Sequence, residues 1–201
     1  MKKAVIVAAG MGTRLKNRTH HMPKGFLEME GISLIERSIL KLLDAGIEKI
    51  IIGTGYLSEF FERLSDIYPI ECVKSPKFAT TGSMYTLHNL RDHIQEDFIL
   101  LESDLLYDRF GLQQLITDEA PDIILASTKT YSGDEVFIER DENSHLVRMS
   151  KDPSELKRFD AELVGITKIS KATFAKMCAY AETQFEENPK IDYENVLSGI
   201  S

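Results

Sequence analysis

Apolar runs and helix-spaced apolar positions alternate along the first two thirds of the chain. Residues 3–9 (KAVIVAA) form a short apolar run that reads as a buried strand. Residues 33–45 (SLIERSILKLLDA) carry apolar side chains at 34, 35, 39, 42 and 43, the spacing of one helical face. Ser33 stands as the N-cap of that helix and Gly46 just past its end. KIIIGT, residues 49–54, is a second buried strand. The pattern then predicts a helix over 57–67, a strand over 70–74 and a helix over 82–93. Further strands follow at 97–103 (DFILLES) and 122–128 (DIILAST). This order predicts an α/β fold, a mixed and mostly parallel sheet flanked by helices. After Thr130 the pattern changes. Residues 136–140, 146–150 and 162–168 are strands with little helix between them, and the turn cluster Asp141-Glu142-Asn143-Ser144 joins the first two as a hairpin. Residues 170–185 form a helix, and 192–200 begin another.

Composition narrows the partners. A chain of 201 residues, 43% apolar, suits one domain over 1–201 with a sizeable core. With 32 acidic against 24 basic residues the net charge is −8, which argues against a nucleic-acid partner. An anion would need a local basic cluster. Cys72 and Cys178 are far apart in apolar surroundings and read as reduced core thiols, so a cytoplasmic location is expected. No apolar run is long enough for a signal peptide or a membrane span, so no membrane partner is expected.

The local basic cluster is AAGMGTRLKNRTHHMPKG, residues 8–25, directly after the first strand. In a parallel α/β sheet ligands bind beyond the carboxyl ends of the strands, and glycine lets backbone N–H groups approach a phosphate. A dinucleotide fingerprint is excluded, because its last glycine is replaced by Leu15 and no acid ends the second strand. A Walker A loop is excluded by the lack of Gly-Lys-Ser/Thr. The stretch Val7-Ala8-Ala9-Gly10-Met11-Gly12-Thr13-Arg14-Leu15, followed by Pro23-Lys24, fits a third loop at every signature position. It resembles the sugar-phosphate nucleotidyltransferase superfamily, whose fold is Rossmann-like. Within it the chain is most similar to the small cytidylyltransferases for phosphocholine or 2-aminoethylphosphonate, above all the phosphonate-specific ones.

The resemblance implies CTP as a substrate and gives Arg14 the β- and γ-phosphates and Lys24 the α-phosphate. A guanidinium fork suits several oxygens and a compact ammonium suits one. Ala8, Ala9, Gly10, Gly12 and Thr13 would cradle the nucleotide. Thr81, Gly82 and Ser83, which open the third predicted helix, would read the base. Magnesium takes one or two carboxylates plus phosphate oxygens, and the resemblance implies Asp104 as one ligand; a helix N-cap is the plain alternative. Asp108 reads as a cap or loop residue. The second ligand falls on Glu194 of IDYEN, where relatives carry aspartate, with Asp192 as the other choice. His20 and His21 read as loop surface.

For the acceptor, the resemblance points to an amine. Phosphocholine enzymes cage a trimethylammonium with aromatic rings, and such cages favour Trp; this chain has none. Relatives carry Glu-Trp where this chain has Glu135-Val136, and an aromatic where it has Asp192. That exchange suits a primary ammonium, hence 2-aminoethylphosphonate, with Glu135 and Asp192 on the amine and Lys151 on the phosphonate. Solvated loop acids and a surface lysine are the plain alternatives. Phosphocholine or a sugar 1-phosphate remains open as acceptor. So does a non-catalytic nucleotide-binding module, although the loop arginine, the lysine and the acids are in place apart from the aspartate-to-glutamate change at Glu194. The resemblance also implies that the chain could be one module of a longer polypeptide, since some phosphonate-branch members are fused to an aminotransferase domain.

Overall fold

The computed structural model describes residues 1–12 and 21–201. The expectations for Thr13, Arg14 and His20 therefore lie outside the described residues. In chain order the elements are β1 (Lys3–Ala8), a small hairpin of β2 (Glu28–Met29) and β3 (Ile32–Ser33), α1 (Leu34–Asp44), β4 (Lys49–Thr54), α2 (Ser58–Leu64), β5 (Ile70–Lys74), α3 (Ser83–Asn89), β6 (Phe98–Glu102) and α4 (Arg109–Thr117). Then come β7 (Ile123–Ser127), β8 (Phe137–Arg140), β9 (Leu146–Ser150), β10 (Ala161–Ile169), α5 (Lys171–Gln184) and α6 (Tyr193–Ile200).

The main sheet has eight strands in the order β5-β4-β1-β6-β10-β8-β9, with β7 paired to β10. β1 is parallel to both β4 and β6, and β4 to β5. β10 is antiparallel to β6, β7 and β8, so those three run with β1, and six of the eight strands share one direction. Alternation along β1 splits the core in two, as a pleat requires. Ala4, Ile6 and Ala8 pack with Ile35, Ile39 and Leu42 of α1, Phe61 of α2 and Leu112 of α4. Val5 and Val7 share the other cluster with Met84 and Leu87 of α3, Phe174 of α5 and Val196 of α6. Helices on both faces explain why these strands read as continuous apolar runs rather than alternating ones.

Where the structure differs from the pattern, local geometry explains it. α2 starts at Ser58 because Leu57 is left-handed, with φ 51°. α3 stops at Asn89, and a 3-10 turn, Arg91–His93, covers the rest of the expected helix. α4 has no counterpart in the sequence reading. It buries only Leu112 and Leu115, and Gly111 interrupts its face where the helix lies close to Leu125 of β7. The caps behave as expected: Ser33 accepts the Glu36 N–H at 3.3 Å, and Asp108 accepts the Phe110 N–H at 2.7 Å.

Candidate active site

β1 and β6 end side by side, Val7 opposite Glu102, and the loops beyond them enclose a cleft of about 940 Å³. Ala8, Ala9, Gly10 and Gly12 line it from the β1 loop; Lys24 and Asp104 line it nearby; Thr81, Gly82 and Ser83 line it from the start of α3. Lys151, Asp192 and Glu194 complete it. Glu135 is not among the lining residues. Its Oε1 instead accepts the Gly133 N–H at 3.0 Å in its own turn. The neighbouring Asp134 does line the cleft. His21 is exposed, in keeping with a loop-surface residue.

Three glycines set the geometry. Gly12 sits at φ 60°, in the region that favours glycine, so the loop can turn directly after β1. A Cβ on Gly25 would lie 2.6 Å from the Ser103 carbonyl oxygen. That close approach lays the 3-10 turn Lys24–Phe26 against the end of β6 and puts Lys24 Nζ 2.5 Å from Asp104 Oδ2. A Cβ on Gly82 would lie 2.3 Å from the Ile191 carbonyl oxygen and 2.4 Å from that of Lys190. Gly82 thus lets the segment before α6 lie directly across the start of α3.

That crossing builds the second wall. The Asp192 Oδ1 accepts from Ser83 N–H at 3.1 Å and Ser83 Oγ at 3.0 Å, while Ser83 Oγ accepts the Tyr193 N–H at 3.0 Å. Lys151 Nζ lies 2.8 Å from Asp192 Oδ2 and 3.1 Å from Glu194 Oε1. Burial opposes charging Asp192, but Lys151 and Ser83 outweigh it and hold its pKa below the ordinary value. Burial pulls Lys151 down, yet Glu194 and Asp192 together push it up. Glu194, buried and facing Asp192, is raised despite Lys151. Glu102 accepts the Tyr193 O–H at 2.9 Å. Burial, then the neighbouring Glu194 charge, push Glu102 up to about 7.

The sequence reading missed Glu102 and Tyr193. One signal was available: Glu102 is an acid closing an apolar strand two residues before Asp104. Tyr193 packs in the core, and only the fold brings its hydroxyl to Glu102. The Thr81 hydroxyl and the Gly82 N–H are engaged within the protein: Thr81 Oγ1 donates to the Lys77 carbonyl at 2.8 Å and Gly82 N–H to that of Pro189 at 3.0 Å. Among the described residues no three His, Cys, Asp or Glu side chains converge as a ready metal cage. Asp104 and Glu194 nevertheless fit a hard divalent cation shared with phosphate oxygens, since each already faces a lysine ammonium across the cleft wall. Cys72 and Cys178 are unpaired, and burial pushes both thiols up to about 11. Among the described residues no helix is long and apolar enough to cross a membrane.

Residues 4–165 match the family profile of the MobA-like NTP transferase domain. Among curated proteins, the chain is 34% identical over 105 residues to a choline-phosphate cytidylyltransferase of Streptococcus pneumoniae, a stretch covering 52% of this chain and 46% of that protein. The chain thus spans about half the length of that relative, and similar shares hold for two others. It is 26% identical over 189 residues to a 2-aminoethylphosphonate cytidylyltransferase of Lancefieldella rimae, covering 92% of this chain and 73% of that one. In fold it is similar to the CTP:phosphocholine cytidylyltransferase structure from Streptococcus pneumoniae, with TM-score 0.83 at 22% identity over 99% of this chain and 85% of that one.

Proposed function

The chain belongs to the MobA-like NTP transferase family, and from that premise we propose that it transfers CMP from CTP to 2-aminoethylphosphonate. A phosphonate oxygen attacks the α-phosphorus of CTP, the bond to the β-phosphate oxygen breaks, and pyrophosphate leaves. The observation that carries this is the pairing of charges in one cleft at the ends of parallel strands. Two lysines, Lys24 and Lys151, line it, each held by a carboxylate. A polyanionic substrate and an anionic acceptor both need such cations, because their mutual repulsion is the main obstacle to reaction.

Lys24 holds the α-phosphate and takes up charge as the phosphorus becomes five-coordinate. Arg14 grips the β- and γ-phosphates. The loop from Ala8 to Gly12 supplies backbone to the nucleotide, and the segment from Thr81 to Ser83 lies against the base. A magnesium ion held by Asp104 and Glu194 would neutralise the phosphates and polarise the α-phosphorus. Lys151 receives the phosphonate. Asp192 and Asp134, which both line the cleft, receive the amine. Val136, buried in the core cluster and lining the cleft, stands where the resemblance gives the phosphocholine enzymes a tryptophan, and its aliphatic side chain supplies no aromatic face for a trimethylammonium. The 26% identical 2-aminoethylphosphonate relative, aligned over 92% of the chain, supports the same acceptor.

The test is to incubate the protein with CTP, magnesium and 2-aminoethylphosphonate, and to follow pyrophosphate together with the mass of the nucleotide product. Acceptor-dependent pyrophosphate and CMP-2-aminoethylphosphonate are expected. CTP left intact with every phosphonate and phosphate-ester acceptor would overturn the reading.

A further inference from the structure

Lys151 holds two carboxylates that are not equivalent. Asp192 keeps the Ser83 N–H and hydroxyl as partners, at 3.1 and 3.0 Å, whatever Lys151 does. Glu194 has Lys151, at 3.1 Å, as its ion-pair partner among the described residues. The Glu194 side chain is only 6% exposed, whereas that of Lys151 is 48% exposed and lines the cleft. An anion entering the cleft can therefore draw the lysine away, but the glutamate cannot turn out to water. A buried carboxylate stripped of its cation is strongly unfavourable unless another cation replaces it.

We infer that the anionic head of the acceptor, by drawing Lys151 off Glu194, completes the divalent-metal site, so that acceptor and metal bind cooperatively. This rests on the reading of the cleft as a nucleotidyl-transfer site. Arrival of a phosphonate or phosphate at Lys151 and arrival of the metal at Glu194 are two halves of one charge exchange. Each lowers the cost of the other, and linkage makes the effect reciprocal. Without acceptor, Lys151 occupies the carboxylate, the metal is held mainly through Asp104 and the triphosphate, and bound CTP is less activated toward water.

Binding of Mn²⁺ as a spectroscopic stand-in for magnesium tests this without turnover. Mn²⁺ is titrated into protein bearing a CTP analogue whose α–β bridging oxygen is methylene, with no acceptor, with methylphosphonate, or with 2-aminoethylphosphonate. Both probes should tighten Mn²⁺ roughly tenfold, and methylphosphonate should suffice because the exchange needs only the anion. Lys151→Met should bind Mn²⁺ without acceptor about as tightly as wild type does with it, and the probes should then change the affinity by less than about twofold. A Lys151 that only bound the acceptor would leave the acceptor-free Mn²⁺ affinity of Lys151→Met at the wild-type value, and that result overturns the exchange. So does wild-type Mn²⁺ affinity indifferent to both probes while the analogue binds, a result that needs no variant. Failure of the analogue to bind at all contradicts instead the functional reading on which the inference stands.

Discussion

Replacing Glu102 by Gln should abolish a specific pH dependence of stability. Glu102 is partly buried, faces Glu194 and Asp104, and has its pKa raised from 4.5 to about 7. Between those values the folded chain keeps a proton that the unfolded chain has released, so stability falls as pH rises through that window. The full cost is present above about pH 7. At about 1.36 kcal/mol per pH unit the shift corresponds to about 3 kcal/mol. Glutamine keeps the oxygen that accepts the Tyr193 hydroxyl, now at 2.9 Å, and removes only the charge. In chelator-treated protein, urea unfolding should show the two proteins matched near pH 4.5, with Glu102→Gln more stable by up to about 3 kcal/mol at pH 8. A stability difference that stays constant across this range would refute the argument that Glu102 is held protonated by its surroundings.

Lys24→Ala should lower kcat by roughly 10²–10³-fold while leaving the melting temperature nearly unchanged, since the lysine is partly exposed on a loop; a well-folded variant with wild-type turnover would remove it from the reaction. Asp104→Asn should raise the magnesium concentration for half-maximal activity by roughly tenfold, and a magnesium titration that overlays wild type would place the ligand elsewhere. Gly82→Ala should destabilise the fold by more than about 2 kcal/mol, because its Cβ would lie 2.3 Å from the Ile191 carbonyl oxygen; denaturation curves that coincide with wild type would mean that α3 and the segment before α6 are not locked together.

Much of the fold was legible because burial on both sheet faces leaves an unbroken apolar run, as in KAVIVA and KIIIGT. Ser33, Ser170 and Asp192 announce helix starts by their chemistry, and each caps a helix. α4 was not legible: a glycine sits in its first turn and two buried leucines make too narrow a stripe to show a period. In the site, the residues that match a contiguous motif were readable one by one, and Ala8, Ala9, Gly10, Gly12, Lys24 and Asp104 line one cleft. The pairings were not. Tyr193 meets Glu102, and Lys151 bridges Asp192 and Glu194, across separations that no local pattern encodes. Sequence position alone points to Glu135; the turn at Gly133 engages its carboxylate, and it is the neighbouring Asp134 that lines the cleft.

The central claim is that this cleft joins CMP to a phosphonate bearing a primary amine. A primary ammonium donates three hydrogen bonds and a trimethylammonium none, so the latter would leave carboxylate oxygens in the cleft poorly satisfied at about 1–3 kcal/mol. The most direct measurement is a competition of 2-aminoethylphosphonate against phosphocholine in one tube with CTP and magnesium, with the two nucleotide products resolved by mass. The account predicts a kcat/KM preference for 2-aminoethylphosphonate of about 10–100-fold. Equal use of the two, or a preference for phosphocholine, would contradict it.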